Sequence, residues 1–370
     1  MEPRAHIIRL YPTQDQEKQL KNTLGCARYA YNWALEKWQE MYAAYDKDKA
    51  SEKPSSNKLC KRWTQEKPEW AHETAYCSQQ RAIHNVGVAY QRLWRGQAAP
   101  PKFHKKGGKE TFYVDNAKVA WYGDHVRLPN IGRVRVAEQI RFEGKVMGYT
   151  VSHYAGQWHL IAQVNTEGDV RPPCANPESV VGIDVGLLNP AVASDGTKLE
   201  LPLEKLQKLD AKLRRQQKAL SRSLRNSRNH AKLLIKKQCT QNKINNIRKD
   251  AVHKFTTTIA KSHGTAVIED LDIQELKDKA PARSVSRAYN SSLMGAIHWQ
   301  LTYKVQHLIK VNHFFPSSKT CSNCGHIRSD LTVGERTYRC DNCGAVIDRD
   351  LNAAINLMKS GLVKPEASVE

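Results

Sequence analysis

Two cysteine pairs near the carboxyl end constrain this chain more than any other feature. Cys321-x-x-Cys324 is followed, fifteen residues later, by Cys340-x-x-Cys343. Each pair lets two thiolates grip one ion from a tight turn, and Gly325 and Gly344 follow directly to supply that turn. This is the spacing of a zinc ribbon, a structural Zn²⁺ site whose four positions are all filled by protein, so it is no catalyst. The other five cysteines (Cys26, Cys60, Cys77, Cys174, Cys239) are scattered, which suits a reducing cytosol better than a disulfide framework.

Charge narrows the partners. The 370 residues carry 58 Lys+Arg against 37 Asp+Glu, a net +21, which points to a polyanion, most often nucleic acid. Residues 205–249 concentrate the bias: fifteen Lys/Arg against one acid, Asp210. Leu206, Leu209 and Leu213 give the start of this stretch helical spacing, so it reads as a phosphate-facing helical pair, with Lys212, Arg215, Arg222 and Arg225 as candidate contacts. No apolar run approaches the ~18 residues of a membrane span. The segment Met1 to Thr13 lacks the pattern of a secretory leader, so a cytoplasmic protein without a membrane partner is expected.

Pattern changes divide the rest. After a short strand over His6 to Leu10, Thr13 and Gln16 form a capping-box signature, and Leu20, Leu24, Ala27, Tyr31, Leu35 and Trp38 trace one helical face. A second helix is expected over Ser78 to Trp94, where Gln79 and Gln80 are candidates to read adenine through a bidentate amide contact. From Thr111 to Thr166 the period becomes two, with Gly123-Asp124 and Ala155-Gly156 as hairpin turns, which predicts a small antiparallel sheet or barrel. Beyond a linker at Arg171 to Cys174, strands are expected at Val180 to Asp184, Pro190 to Ser194 and Gly264 to Ile268. A helix over Leu293 to Val311, a strand at Phe314-Phe315 and a final helix over Asn352 to Lys359, stopped by Gly361, complete an α/β pattern.

Three acids sit where packing would not put them. Asp184 lies in an apolar strand, Glu269 ends another, and Asp350 opens the terminal helix. Two strands and a helix start can gather three carboxylates around two divalent ions about 4 Å apart, an arrangement suited to phosphodiester hydrolysis. Hard oxygen donors select Mg²⁺ or Mn²⁺. Asp270 and Asp348 are the neighbouring acids; Glu269 and Asp270 point to opposite faces of a strand, so at most one faces the site.

Gly182-Ile-Asp-Val-Gly186, Ile268-Glu-Asp-Leu271, the two cysteine knuckles and Asp348-Arg-Asp-Leu-Asn-Ala-Ala-Ile-Asn-Leu357 resemble the transposon-encoded TnpB (OrfB) proteins, relatives of compact type V CRISPR effectors. The resemblance covers essentially the whole chain. It implies that Asp184, Glu269 and Asp350 are the catalytic carboxylates of an RNase H-like (RuvC) nuclease split by insertions. It implies an α+β, multidomain chain: a wedge-like β-barrel from 1–12 and 98–172, an inserted helical recognition domain at 13–97, the nuclease domain at 173–316 and 346–362, the ribbon at 317–345 and a tail at 363–370. The implied partners are a guide RNA from the transposon end and target double-stranded DNA bearing a short adjacent motif, with a monomer favoured. Two other functions fit parts of the pattern: a DNA transposase using the same acids for strand transfer, and a nuclease-silent, guide-dependent repressor. The repressor predicts loss of an acid, and all three are present.

Overall fold

The period-two stretch folds as strands, and the helical stripe before it packs on them. The computed structural model describes residues 2–107, 110–168, 171–187, 189–225, 227–332 and 334–362, and the chain divides into two compact units, 1–169 and 170–370. The tail expected at 363–370 lies outside the described residues.

In the first unit, β1 (Glu2–Tyr11) leads into α1 (Gln14–Lys47), α2 (Ser56–Glu66) and α3 (Tyr76–Trp94). There follow β2 (Glu110–Val114), β3 (Ala120–Tyr122), β4 (His125–Leu128), β5 (Gly132–Val136), β6 (Gly144–Tyr154) and β7 (Gln157–Thr166). The strands form one antiparallel sheet in the order β2-β6-β7-β1-β5-β4-β3. Among the described residues β2 and β3 do not pair, so of the expected sheet or barrel it is an open sheet that forms. The edge strands are only five and three residues long and offer little backbone for closure. The capping box is present: Gln16 N–H donates to Thr13 Oγ1 and Thr13 N–H to Gln16 Oε1, at 3.3 and 3.0 Å. The buried stripe of α1, Leu20 to Trp38, joins Ile8, Leu10, Val151 and Leu160 in one core. Helix α2 has no counterpart in the sequence reading; Ser55 caps it, and its Trp63 is wholly buried.

The second unit begins with β8 (Val180–Asp184) and β9 (Val192–Ala193). Helices α4 (Leu203–Arg222) and α5 (Arg228–Ser262) form a hairpin clasped by Leu206, Leu213 and Ile244. Then come β10 (Thr265–Glu269), α6 (Ile273–Asp278), α7 (Arg283–Ser291), α8 (Met294–Lys304), β11 (His307–Val311), β12 (Thr337–Arg339), β13 (Val346–Asp348) and α9 (Arg349–Leu362). The sheet order is β11-β10-β8-β9, with β10 parallel to both β8 and β11 and β9 antiparallel to β8.

Three expectations fail here. The helix over Leu293 to Val311 stops at Lys304, and its last five residues pair with β10 as strand β11. Apolar spacing over so few residues fits either state, and sheet pairing decides it. Phe314-Phe315 lies in a turn, where Phe314 N–H donates to Asn312 Oδ1. Gly361 does not stop α9, which runs on to Leu362; the absent side chain instead lets the helix lie against Val267. Among the described residues no helix is long and apolar enough to cross a membrane.

Candidate functional site

The two parallel strands set the geometry of the acids. Ile183 and Ile268 are cross-strand partners in the core, so the residues after them, Asp184 and Glu269, leave the sheet on a shared face at its carboxyl edge. Such edges are where open α/β sheets place their ligand sites. Asp270 takes the opposite face and accepts from Lys310 Nζ at 2.9 Å.

The third acid arrives on α9, and a glycine brings it close. A Cβ on Gly182 would stand 2.0 Å from the Ala354 carbonyl oxygen and 2.4 Å from the Met358 nitrogen. Only glycine therefore lets the helix backbone rest on β8. Asp348 caps that helix, its Oδ1 accepting from the Asp350 and Leu351 N–H groups at 3.0 and 3.1 Å. Asp350 is thus freed from capping and sits in the first turn, accepting from Asn189 Nδ2 at 2.6 Å with Arg336 at 3.9 Å. Glu269 accepts a short hydrogen bond from the Ser317 hydroxyl.

The three carboxylates feel one another. Burial, then the charges of Asp350 and Glu269, raise the Asp184 pKa to about 7, against a smaller opposing pull from Arg349. A proton or a divalent cation relieves that repulsion, and an all-oxygen donor set fits Mg²⁺ or Mn²⁺ better than zinc.

Near the start of α9 lie the cysteines. Their four sulfurs all lie within 4.8 Å of one another, with Cys321–Cys343 at 3.7 Å and Cys324–Cys340 at 3.5 Å. These separations are far beyond a disulfide bond. Among the described residues only this group meets that spacing; the three carboxylates stand further apart. Gly325 and Gly344 adopt φ of 78° and 73° at matching turns. The Asn342 and Asn323 amides donate to Cys324 and Cys343 sulfur, both at 3.6 Å. The His326 N–H, followed by the Asn342 amide, lowers the Cys324 thiol to about 6, toward the thiolate a metal needs.

The nucleic-acid candidates divide. Lys212, Arg215, Arg222 and Arg225 are all exposed on α4 and the following turn, with no ion-pair partner among the described residues. Gln79 is a correction. It is wholly buried, accepts from Trp63 Nε1 at 2.8 Å and donates to the Ala71 carbonyl at 2.7 Å and Thr74 Oγ1 at 2.9 Å. Its amide is spent tying α3 to the preceding turn and α2, so no base edge can reach it. Gln80, one residue on, is exposed and lines a groove with Arg81, His84 and Tyr113. Sequence reasoning missed Ser317, Asn189 and two buried α9 asparagines, Asn352 and Asn356; of these, only the asparagines had a sequence signal, their four-residue spacing in the terminal motif.

The mixed α/β fold is shared with a solved Cas12f1 structure. A Cas12f1–sgRNA–target DNA complex superposes with a TM-score of 0.56 at 14% identity, covering 96% of this chain and 98% of the other. Three family profiles match: one described as "Probable transposase" over 163–280, a "Cas12f1-like, TNB domain" over 293–357 and a "Helix-turn-helix domain" over 1–47. That last segment is here one strand and one 34-residue helix. "Putative RNA-guided DNA endonuclease InsQ" of Escherichia coli (strain K12) is 30% identical over 96% of this chain and 92% of its own length. A Streptomyces pristinaespiralis relative of the same description is 29% identical over 97% and 89%. The chain belongs to the TnpB (OrfB) family.

Proposed function

We propose that the protein is the RNA-guided DNA endonuclease of a transposable element, cutting target DNA beside a short adjacent motif. The observation that carries this reading is the meeting of Asp184, Glu269 and Asp350 at one sheet edge, where burial and mutual repulsion raise the Asp184 carboxyl to about 7. Relatives named as RNA-guided DNA endonucleases along most of their length support it. We read the second unit as an RNase H-like (RuvC) nuclease domain at 173–316 and 346–362, with a zinc ribbon at 317–345. The open sheet, 1–12 and 98–172, and the helices of 13–97 are read as wedge and recognition domains.

In this reading the three carboxylates hold two Mg²⁺ or Mn²⁺ ions, which when bound supply charge stabilisation for in-line hydrolysis of a phosphodiester. The chain's own groups prepare that site. Asn189 holds the Asp350 carboxylate and the Ser317 hydroxyl holds Glu269, so both oxygens are aimed before DNA arrives. Asp348 satisfies the helix start and spares Asp350 for the ions. The cysteine cluster holds one structural Zn²⁺. Exposed cations of the α4–α5 hairpin bind the sugar-phosphate backbone, while base pairing to the guide selects the sequence. The site of action is the cytoplasm, on nucleoid DNA.

Expression of the chain together with its flanking element DNA tests the proposal. RNA recovered with the protein should include element-end sequence, and replacing the guide portion should move a magnesium-dependent cut to the new target. Cleavage that ignores the guide, or protein free of specific RNA, contradicts it.

A further inference from the structure

Asn352 and Asn356 are four residues apart on α9 and so share a face. Both are buried, at 0% and 5% exposure, and both are spent on the segment around Cys321. The Thr320 carbonyl accepts from Asn352 Nδ2 at 2.7 Å and from Asn356 Nδ2 at 2.6 Å. Ser322 N–H donates to Asn352 Oδ1 at 2.8 Å. The backbone immediately before and after the first cysteine is therefore held by the helix that carries Asp350. Asn356 Nδ2 also donates to the Ser317 carbonyl at 2.8 Å, while the hydroxyl of that serine donates to Glu269. Lys359, one turn further along α9, donates to the Ser322 carbonyl.

One short segment thus touches both centres. Its cysteine enters the sulfur cluster, its serine hydroxyl reaches one carboxylate, and its carbonyls fix the helix bearing another. Two buried amides share these bonds, so displacing the segment from α9 strains several of them at once. Cys321 is thus linked through the asparagines to the helix of Asp350, and through the same segment's Ser317 to Glu269.

Resting on the nuclease reading above, we propose that Ser317, Asn352 and Asn356 are positioning residues that couple the two metal centres. Zinc at the cysteines raises the affinity of the carboxylates for a divalent cation, and by linkage the cation tightens zinc. They act by setting where Asp350 and Glu269 stand.

The test is a Mn²⁺ titration of full-length protein, zinc-loaded and zinc-stripped, followed by the resonance signal of free Mn²⁺. Wild type should bind Mn²⁺ about tenfold more tightly when zinc is present, the scale of outer-shell effects on metal sites. Asp184→Asn should abolish that binding, which assigns it to the carboxylates. Asn356→Ala should retain one zinc per chain yet lose the gain zinc confers. Ser317→Ala, which spares the α9 contacts, should weaken Mn²⁺ several-fold with zinc stoichiometry unchanged. A purely structural role would lower melting temperature and leave the zinc-dependent gain intact. Binding that Asp184→Asn leaves unaltered removes the carboxylate site and with it both readings. Asp184-dependent binding that is indifferent to zinc, or equally zinc-sensitive in Asn356→Ala, overturns the coupling alone.

Discussion

Lys304 is a single residue with an outsized environment. The residue is 7% exposed, and its ammonium has no carboxylate partner among the described residues and donates among Gln300 Oε1, Thr256 Oγ1, Thr257 Oγ1 and the His253 carbonyl and ring at 2.8–3.2 Å. Burial lowers its pKa to about 8. Because the folded value lies below the unfolded one of roughly 10.4, the unfolded chain binds the extra proton between them. Stability should therefore rise with pH from about 8 to about 10, by on the order of 3 kcal/mol at most, and the charged form is a penalty below that window. Denaturant unfolding of wild type and Lys304→Met at pH 7 and 9.5 checks this: the variant should lack that part of the rise. Nothing in the sequence marked Lys304, since its network is made by groups some fifty residues away on α5. Asp184 and Glu269 stood out because an acid is out of keeping with an apolar strand, and the cysteines because of their paired spacing, which the fold turns into a cluster of four sulfurs. Gln79 misled for the opposite reason, as a polar residue looks solvated until its partners are seen.

Among the elements, α9 carries most of the architecture of the site, and its approach to β8 depends on Gly182. A methyl there would collide with backbone atoms of α9, which cannot rotate away. Gly182→Ala should therefore cost about 1–3 kcal/mol of stability, as overpacking does. It should also lower cleavage far more than RNA binding, because Asp350 shifts relative to Asp184; thermal unfolding beside a cleavage assay measures both. Cys340→Ser should likewise release the metal and loosen β12 and β13, and elemental analysis should fall from one zinc per chain to none. Helices α1 and α4 could be read from their periods and strands β8 and β10 from their apolar runs. The boundary between α8 and β11 could not, because parallel pairing with β10 is a long-range event. Helix α2 was hidden by its charged, short sequence, and the burial of Leu59, Cys60 and Trp63 in the core shows why it forms.

For the molecule as a whole, the +21 charge has to be matched by a polyanion. The α4–α5 hairpin exposes its cations along one long element, so no single one should dominate. Replacing Lys212, Arg215, Arg222 and Arg225 by Gln should reduce nucleic-acid affinity without altering the preferred sequence. The slope of log K against log salt should fall by about 0.7–0.9 for each phosphate that is no longer neutralised; an unaltered slope would mean that these charges serve solubility alone. The alternation of the first unit left a sheet or a barrel open, since it fixes which face is buried but not whether two edges meet; the described strands form an open sheet. The central claim is that three acids from two strands and one helix cut DNA as a unit. Its most direct measurement is target cleavage and target binding, side by side, by RNA-loaded wild type, Asp184→Ala, Glu269→Ala, Asp350→Ala and Asp348→Ala. Each of the first three variants should lose on the order of 10³-fold or more in cleavage rate, ~4 kcal/mol of barrier, while binding the target normally, with Asp348→Ala milder. Full cutting by Asp350→Ala, with none by Asp348→Ala, would contradict the account.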